Sequence, residues 1–146
     1  MKIYNRKAFT VSQSDWEAAL QLAEPDPVVH IRHAVISGDE SYRIHVAAIP
    51  ERVGCHYHAH GDEVYEVVAG AGTLYWGKVI AGTTNVNWET PIDVVAGQSF
   101  IIPEGYAHQL AKRGDDDLVI LFGCPDTHLN DMQDRTVLPY DLGMRI

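Results

Sequence analysis

Along most of the chain, apolar residues come in short bursts separated by turn formers. From Val28 onward, runs rich in Val, Ile and Tyr occupy residues 28–36, 42–49, 64–68, 73–76, 92–95, 99–102 and 118–122. Between them lie Ser37-Gly38-Asp39, Ala69-Gly70-Ala71-Gly72 and Arg113-Gly114-Asp115. Short strands at this spacing predict an all-β antiparallel sandwich or small barrel, not βαβ units. A single helix precedes them. Ser14-Asp15-Trp16-Glu17 reads as a capping box, with Ser14 accepting from a first-turn amide and Glu17 reaching back. Trp16, Ala19, Leu20 and Ala23 then share one face, and Pro25 and Pro27 end the helix. It carries no chemistry, so its expected role is to cover a face or edge of the strands.

The pattern divides the chain into an N-terminal extension with this short helix (1–27), one barrel domain (28–124) and an irregular C-terminal extension (125–146). The extension contains Asp126, Asp131, Asp134 and Pro139. Residues 79–90 are polar and read as a long hairpin that extends a sheet or covers a mouth. There is no internal repeat and no low-complexity linker.

Composition fits one domain: 146 residues, 46% hydrophobic and 21% charged. A chain this long buries roughly two thirds of its unfolded surface, so it needs neither disulfide nor metal simply to fold. Disorder, collagen and coiled coil are excluded. Eleven Lys plus Arg against 20 Asp plus Glu give a net charge of −9. That field repels phosphate backbones and anionic lipid, so neither nucleic acid nor a membrane is an expected partner. The Asp115-Asp116-Asp117 run reads as a solvated hairpin tip. The two cysteines, Cys55 and Cys124, show no CxxC spacing and are expected to be free thiols. Residues 1–7 lack the apolar stretch of a signal peptide, and 118–122 is too short to span a bilayer. A soluble cytoplasmic protein is the simplest expectation.

The chemistry lies in the histidines, of which there are eight. In His56-Tyr57-His58-Ala59-His60 the imidazoles alternate, and on a strand residues two apart share a face. His56 and His58 then converge on one side, with Cys55 and Tyr57 on the other. Glu63 opens the next strand, which aims Glu63, Tyr65 and Val67 inward. Far along the chain, Pro103-Glu104-Gly105-Tyr106-Ala107-His108 reads as a turn that delivers another imidazole. Any one of these histidines is more simply a surface or hydrogen-bonded core residue. As a set, three imidazoles and one carboxylate suit one divalent transition-metal ion: Fe, Mn, Ni, Co, Cu or Zn. On an octahedral ion they leave two positions open, which distinguishes a reactive site from a structural one.

Residues 50–112 resemble the cupin superfamily. Its first motif ends His-x-His, three or four residues, Glu, six residues, Gly; His56, His58, Glu63 and Gly70 stand at that spacing. Its second is Gly, five residues, Pro-x-Gly, two residues, His, three residues, Asn; Gly97, Pro103, Gly105 and His108 match. Pro50 replaces the leading Gly of the first motif and Lys112 the closing Asn of the second, neither of them a ligand position. The resemblance implies a single-domain jelly-roll β-barrel with one mononuclear metal inside, held by His56, His58, Glu63 and His108. His60 competes as a ligand, since His58 and His60 also share a face, but that pair sits closer to Glu63 than the family spacing. His60 is therefore expected beside the ligands or at the mouth, with Tyr65 and Tyr106 lining the cavity. Trp76, Trp88 and Phe100 read as barrel core or as cavity wall. His45 and Arg43 share a face that is either interior or solvent. His30, His33 and His128 are expected at the surface or satisfied in the core, and Cys55 and Cys124 as buried apolar groups.

Two functional readings follow. The first is a metal-dependent enzyme acting on a small organic substrate, of dioxygenase or sugar isomerase/lyase type. The second is a non-catalytic module that binds or senses a sugar or organic acid. The acidic charge and the absence of an attached DNA-binding domain count against a regulator. A metal-free epimerase with a His–Asp base is disfavoured by the intact ligand set. Exposed edge strands lead to the expectation of a homodimer.

Overall fold

The computed structural model describes residues 1–130 and 134–143. Its elements are α1 (Gln13–Gln21), β1 (Glu24–Asp26), β2 (Ile31–Asp39), β3 (Tyr42–Ile49), β4 (His56–His58), β5 (Glu63–Ala69), β6 (Ala71–Val79), β7 (Val86–Trp88), β8 (Ile92–Val95), β9 (Ser99–Ile102), β10 (Tyr106–Lys112), β11 (Leu118–Cys124), α2 (Thr127–Asn130) and β12 (Arg135–Val137). One antiparallel sheet has the order β1-β2-β3-β11-β5-β9. The other runs β12-β4-β10-β6-β7, with β8 also on β6. Packed face to face they form the expected all-β jelly-roll barrel, with the short helix outside. No helix among the described residues is long and apolar enough to cross a membrane.

β11 shows why the sequence pattern takes the form it does. Its seven residues are all buried and do not alternate, because neither face meets water. Leu118, Ile120, Phe122 and Cys124 join the barrel core, while Val119 and Leu121 pack under Trp16 of α1. β5 divides its faces differently. Tyr65 and Val67 enter the core, whereas Glu66, 3% exposed, faces outward. Glu66 accepts from the backbone N–H of Ala8 at 2.9 Å and of Phe9 at 3.0 Å, fastening the N-terminal segment to the barrel wall. β5 turns into β6 at Gly70, whose φ of 78° and proximity to Asp117 exclude a side chain; a Cβ there would stand 2.5 Å from the Asp117 carbonyl oxygen.

Four details differ from the sequence reading. The helix N-cap is Ser12, not Ser14: the Ser12 hydroxyl accepts from the Asp15 N–H at 3.2 Å, and Glu17 takes a hydrogen bond from Gln13 at 2.8 Å. Starting there puts Trp16 in the second helical turn, where it reaches the sheet. The turn before His108 ends at Gly105, and His108 itself lies on β10, paired along its length with β6. Within the segment read as an N-terminal extension, β1 adds a strand beside β2 in spite of Pro25, as an edge strand permits. Within the segment read as a C-terminal extension, α2 and β12 form, and β12 pairs with β4. Asp131 lies outside the described residues. Residues 79–90 form the β6–β7 hairpin and extend the second sheet.

Candidate metal centre

β4 is three residues long, and its alternation puts the His56 and His58 rings on the barrel side of Tyr57. Antiparallel pairing sets His108 of β10 directly opposite His56. Glu63 and Tyr65 enter from β5 in the facing sheet. All four expected ligands are buried, between 3% and 5% exposed. One nitrogen from each of His56, His58 and His108 lies within 4.8 Å of the other two. Ligands at about 2.1 Å from a common ion stand about 3–4 Å apart, so modest closure suffices. Glu63 lies 3.1 Å from His58 Nε2 through Oε2 and 4.0 Å from His108 Nε2 through Oε1.

The hydrogen bonds around these rings orient them. His56 Nδ1 donates to the Gly54 carbonyl at 2.7 Å, and His108 Nδ1 to the Tyr106 carbonyl at 3.1 Å. Each bond fixes the tautomer that leaves a bare Nε2 lone pair. Both nitrogens of His58 are buried without a hydrogen-bond partner among the described residues, since its Nε2 approaches Glu63 off the bonding direction. A buried imidazole left unsatisfied in this way is costly unless a further partner takes its lone pair. The donor set therefore fits a divalent transition ion.

Burial, reinforced by the like-charged neighbours His108 and His58, holds the His56 pKa well below the usual imidazole value. Burial likewise lowers His108 to about 4, against the opposing pull of Glu63. Neutral rings are the form that binds metal. Burial pushes the Glu63 pKa up, but His58, together with the His128 hydrogen bond, outweighs it and holds the carboxyl well below its ordinary range. The Tyr65 hydroxyl donates to Glu63 Oε1 and stands 3.3 Å from His108 Nε2.

No protein-family model matches the sequence, and no curated protein does. Solved structures match in shape. KdgF from Halomonas sp. aligns with 70% of this chain and 84% of its own at a TM-score of 0.52 and 18% identity. CapF bound to 3-isopropenyl-tropolone aligns with 81% of this chain and 34% of its own, at a TM-score of 0.58 and 22% identity. A mutant of Bacillus subtilis oxalate decarboxylase aligns with 82% of this chain and 31% of its own, at 0.59 and 17%. The chain thus spans about a third of the length of the last two. These neighbours are cupins. The chain has the cupin fold. At such identities the likeness speaks for the barrel and its topology.

Three residues of the C-terminal segment enter this cupin barrel where the sequence offered no motif. His128 on α2 is fully buried, and its ring stacks on His58 at 3.9 Å between centroids and 4° between planes. Its Nδ1 donates to Glu63 Oε2 at 3.0 Å and its Nε2 to the His60 carbonyl at 2.6 Å. Both partners are acceptors, so both ring nitrogens carry hydrogen and the ring is an imidazolium. Burial opposes that charge, but the Glu63 hydrogen bond and its negative charge prevail and raise the pKa. Asp134, 2% exposed, has Oδ2 at 3.7 Å from His128 Nε2. Arg135 on β12 is the third. The only sequence signal for them was a titratable residue at each position. Arg135 is placed by the β12–β4 pairing, and His128 and Asp134 by bonds to Glu63 and His60, all between residues distant in sequence that local pattern does not encode.

The other candidates lie as follows. The His60 ring is 84% exposed beside Asp134, and only its backbone carbonyl reaches the site. Tyr106 is half-buried and stacks on Trp76 at 5.7 Å. Phe100 stacks on Tyr65 in the core, while Trp88 packs against Tyr140 on the outer face of the second sheet. His45 is interior, stacked on Phe122 at 4.6 Å, and Arg43 is paired with Asp126 at 2.8 Å. Cys55 is buried away from the histidines, with Ala107 and Leu138. Cys124 lies near Glu63 and His128. The cavity beside the cluster is small, about 30 Å³, and is walled by Val29, Leu110, Ile120 and Phe122. A wider groove of about 630 Å³ runs outside the barrel past Arg52 and Tyr140. It contains none of the clustered histidines, and its Arg52, Gln109 and Asp141 are already bonded to one another or to backbone.

Proposed function

We propose that this cupin is a metal-dependent enzyme acting on a small organic substrate, with His56, His58, His108 and Glu63 holding one divalent transition-metal ion. The observation that carries this reading is the set of buried ring nitrogens: the Nδ1 bonds of His56 and His108 leave bare Nε2 atoms, and among the described residues His58 has no hydrogen-bond partner at either nitrogen. When bound, such an ion supplies Lewis acidity and, if redox-active, a route for electrons.

The chain's own residues do the rest. Glu63 is gripped at one oxygen by Tyr65 and at the other by His128, so its carboxylate is held in place before any ligand arrives. The Tyr65 hydroxyl is the proton-carrying group beside His108 and is suited to exchange a proton with a substrate oxygen. The apolar wall of Val29, Leu110, Ile120 and Phe122 excludes bulk water and limits the substrate to a few heavy atoms. A dioxygenase and an isomerase or lyase both suit this arrangement, and the identity of the ion separates them. Iron favours oxygen chemistry, whereas zinc or manganese favours isomerisation or lyase work. Mn(II) centres are named for Bacillus subtilis oxalate decarboxylase, a larger protein of the same fold.

The test begins with elemental analysis of protein purified without chelator. About one ion per chain is expected, with at least about tenfold weaker retention in His56→Ala and His108→Ala. Loaded protein is then assayed for turnover on small hydroxy acids, oxo acids and sugars, with and without oxygen. Ligand binding without turnover would favour the binding-module reading, and stoichiometric metal in both variants would end the metal reading.

A further inference from the structure

We propose that Arg135 anchors an anionic substrate, a small carboxylate, beside the metal centre. The inference rests on the metal reading above and adds to it the chemical class of the ligand.

β12 brings Arg135 into register directly opposite His58 of β4. Directly opposed residues of an antiparallel pair share a face, so both side chains enter the same cavity, where Arg135 is part of the wall. The side chain is only 4% exposed. One guanidinium nitrogen, Nη1, donates to Asp26 Oδ2 at 3.0 Å. The Nε atom is buried and has no hydrogen-bond partner among the described residues. Asp26 does not supply the missing bond: its Oδ1 accepts from the Val28 N–H at 3.0 Å, and its Oδ2 also faces His33 Nε2 at 3.5 Å. A buried charged donor without an acceptor is unfavourable in a folded chain unless a ligand completes it.

The chemistry of that ligand follows from the donor. A guanidinium presents N–H groups in a planar fork that matches the two oxygens of a carboxylate, and it is always charged. Asp26 already offsets the charge through Nη1, so what selects a carboxylate is the two-oxygen match to the fork on the open Nε edge, which a neutral polyol meets only with single hydroxyls. The cavity's small volume admits only a few heavy atoms. A short carboxylic acid bearing a second oxygen satisfies both ends: the carboxylate on Arg135, the other oxygen toward the ion that His56, His58, His108 and Glu63 would hold. Among the substrate types open to the fold, this selects small acids over sugars.

The experiment titrates the full-length protein, loaded with Mn(II) and also metal-depleted, with glycolate and with its neutral counterpart ethylene glycol, by calorimetry. Glycolate is expected to bind at least about tenfold more tightly than ethylene glycol to the loaded protein. Arg135→Lys keeps a cation for Asp26 but loses the fork; it is expected to lower glycolate affinity at least about tenfold with metal content unchanged. If that variant fails to fold, the Asp26→Asn/Arg135→Gln double variant removes both charges together and carries the same expectation. Equal affinity for the two probes, or undiminished glycolate binding in the folded variants, overturns the anchor and leaves the metal centre standing. If the chain takes up no ion, the metal reading fails by itself. The metal-depleted titration then decides the anchor: Arg135-dependent glycolate binding supports it, and no binding overturns it.

Discussion

His128 Nδ1 lies 3.0 Å from Glu63 Oε2, across 65 positions of sequence. Through this one bond the C-terminal segment, which enters the barrel after β11, reaches a carboxylate of the candidate metal centre. With Tyr65 on the other oxygen, Glu63 has no freedom to swing away.

Replacing His128 with Phe keeps a ring against His58 but removes both donors. Metal affinity is expected to fall about 10- to 100-fold, as when other groups that orient a ligand are removed, while strand content is retained. A competitive metal titration followed by circular dichroism reads both. Unchanged affinity would mean that the His128 bond contributes only to packing.

His45 sets an acid limit on stability. Burial, with the nearby His33, lowers its pKa from 6.5 to about 4. The unfolded chain therefore takes up a proton at this site as pH falls below 6.5, while the folded chain refuses it until about 4. Stability falls with pH through that window, by up to about 3 kcal/mol from this group. His45→Phe preserves the stack on Phe122 and removes the proton uptake, so its stability advantage over the parent is expected to grow by about 2–3 kcal/mol between pH 7 and pH 4.5. Urea unfolding of both proteins at the two pH values measures it, and parallel losses would contradict the assignment.

Glu66 fastens the N-terminal segment through two backbone amides. Glu66→Ala leaves both unpaired and is expected to cost about 1–3 kcal/mol and to open the first dozen residues to protease. Glu66→Gln keeps an acceptor and is expected to cost less. Equal protection of the segment in all three proteins would show that α1 alone holds it.

The barrel and the histidine cluster were legible because each depends on local pattern. Period-two alternation put His56 and His58 on one face and Glu63 with Tyr65 on another, and the spacing of Pro103, Gly105 and His108 marked the turn that delivers the third imidazole, though not the strand β10 that carries it. What stayed hidden depends on partners distant in sequence. Arg135 owes its place to β12 pairing with β4, and His128 to the bonds its ring makes with Glu63 and the His60 carbonyl; nothing in residues 125–138 announces either. β1 was hidden by Pro25, which an edge strand tolerates. The helix start was displaced because Ser12 and Ser14 both precede acidic residues, and only packing of Trp16 against Val46 and Leu121 selects between them.

The most direct test of the account is anomalous diffraction from crystals of protein loaded with manganese or iron. The expected result is one peak inside the barrel, about 2.0–2.3 Å from Nε2 of His56, from His108 Nε2, from a nitrogen of His58 and from an oxygen of Glu63. A loaded crystal with no peak among these four side chains, or with the ion bound elsewhere on the chain, would contradict it.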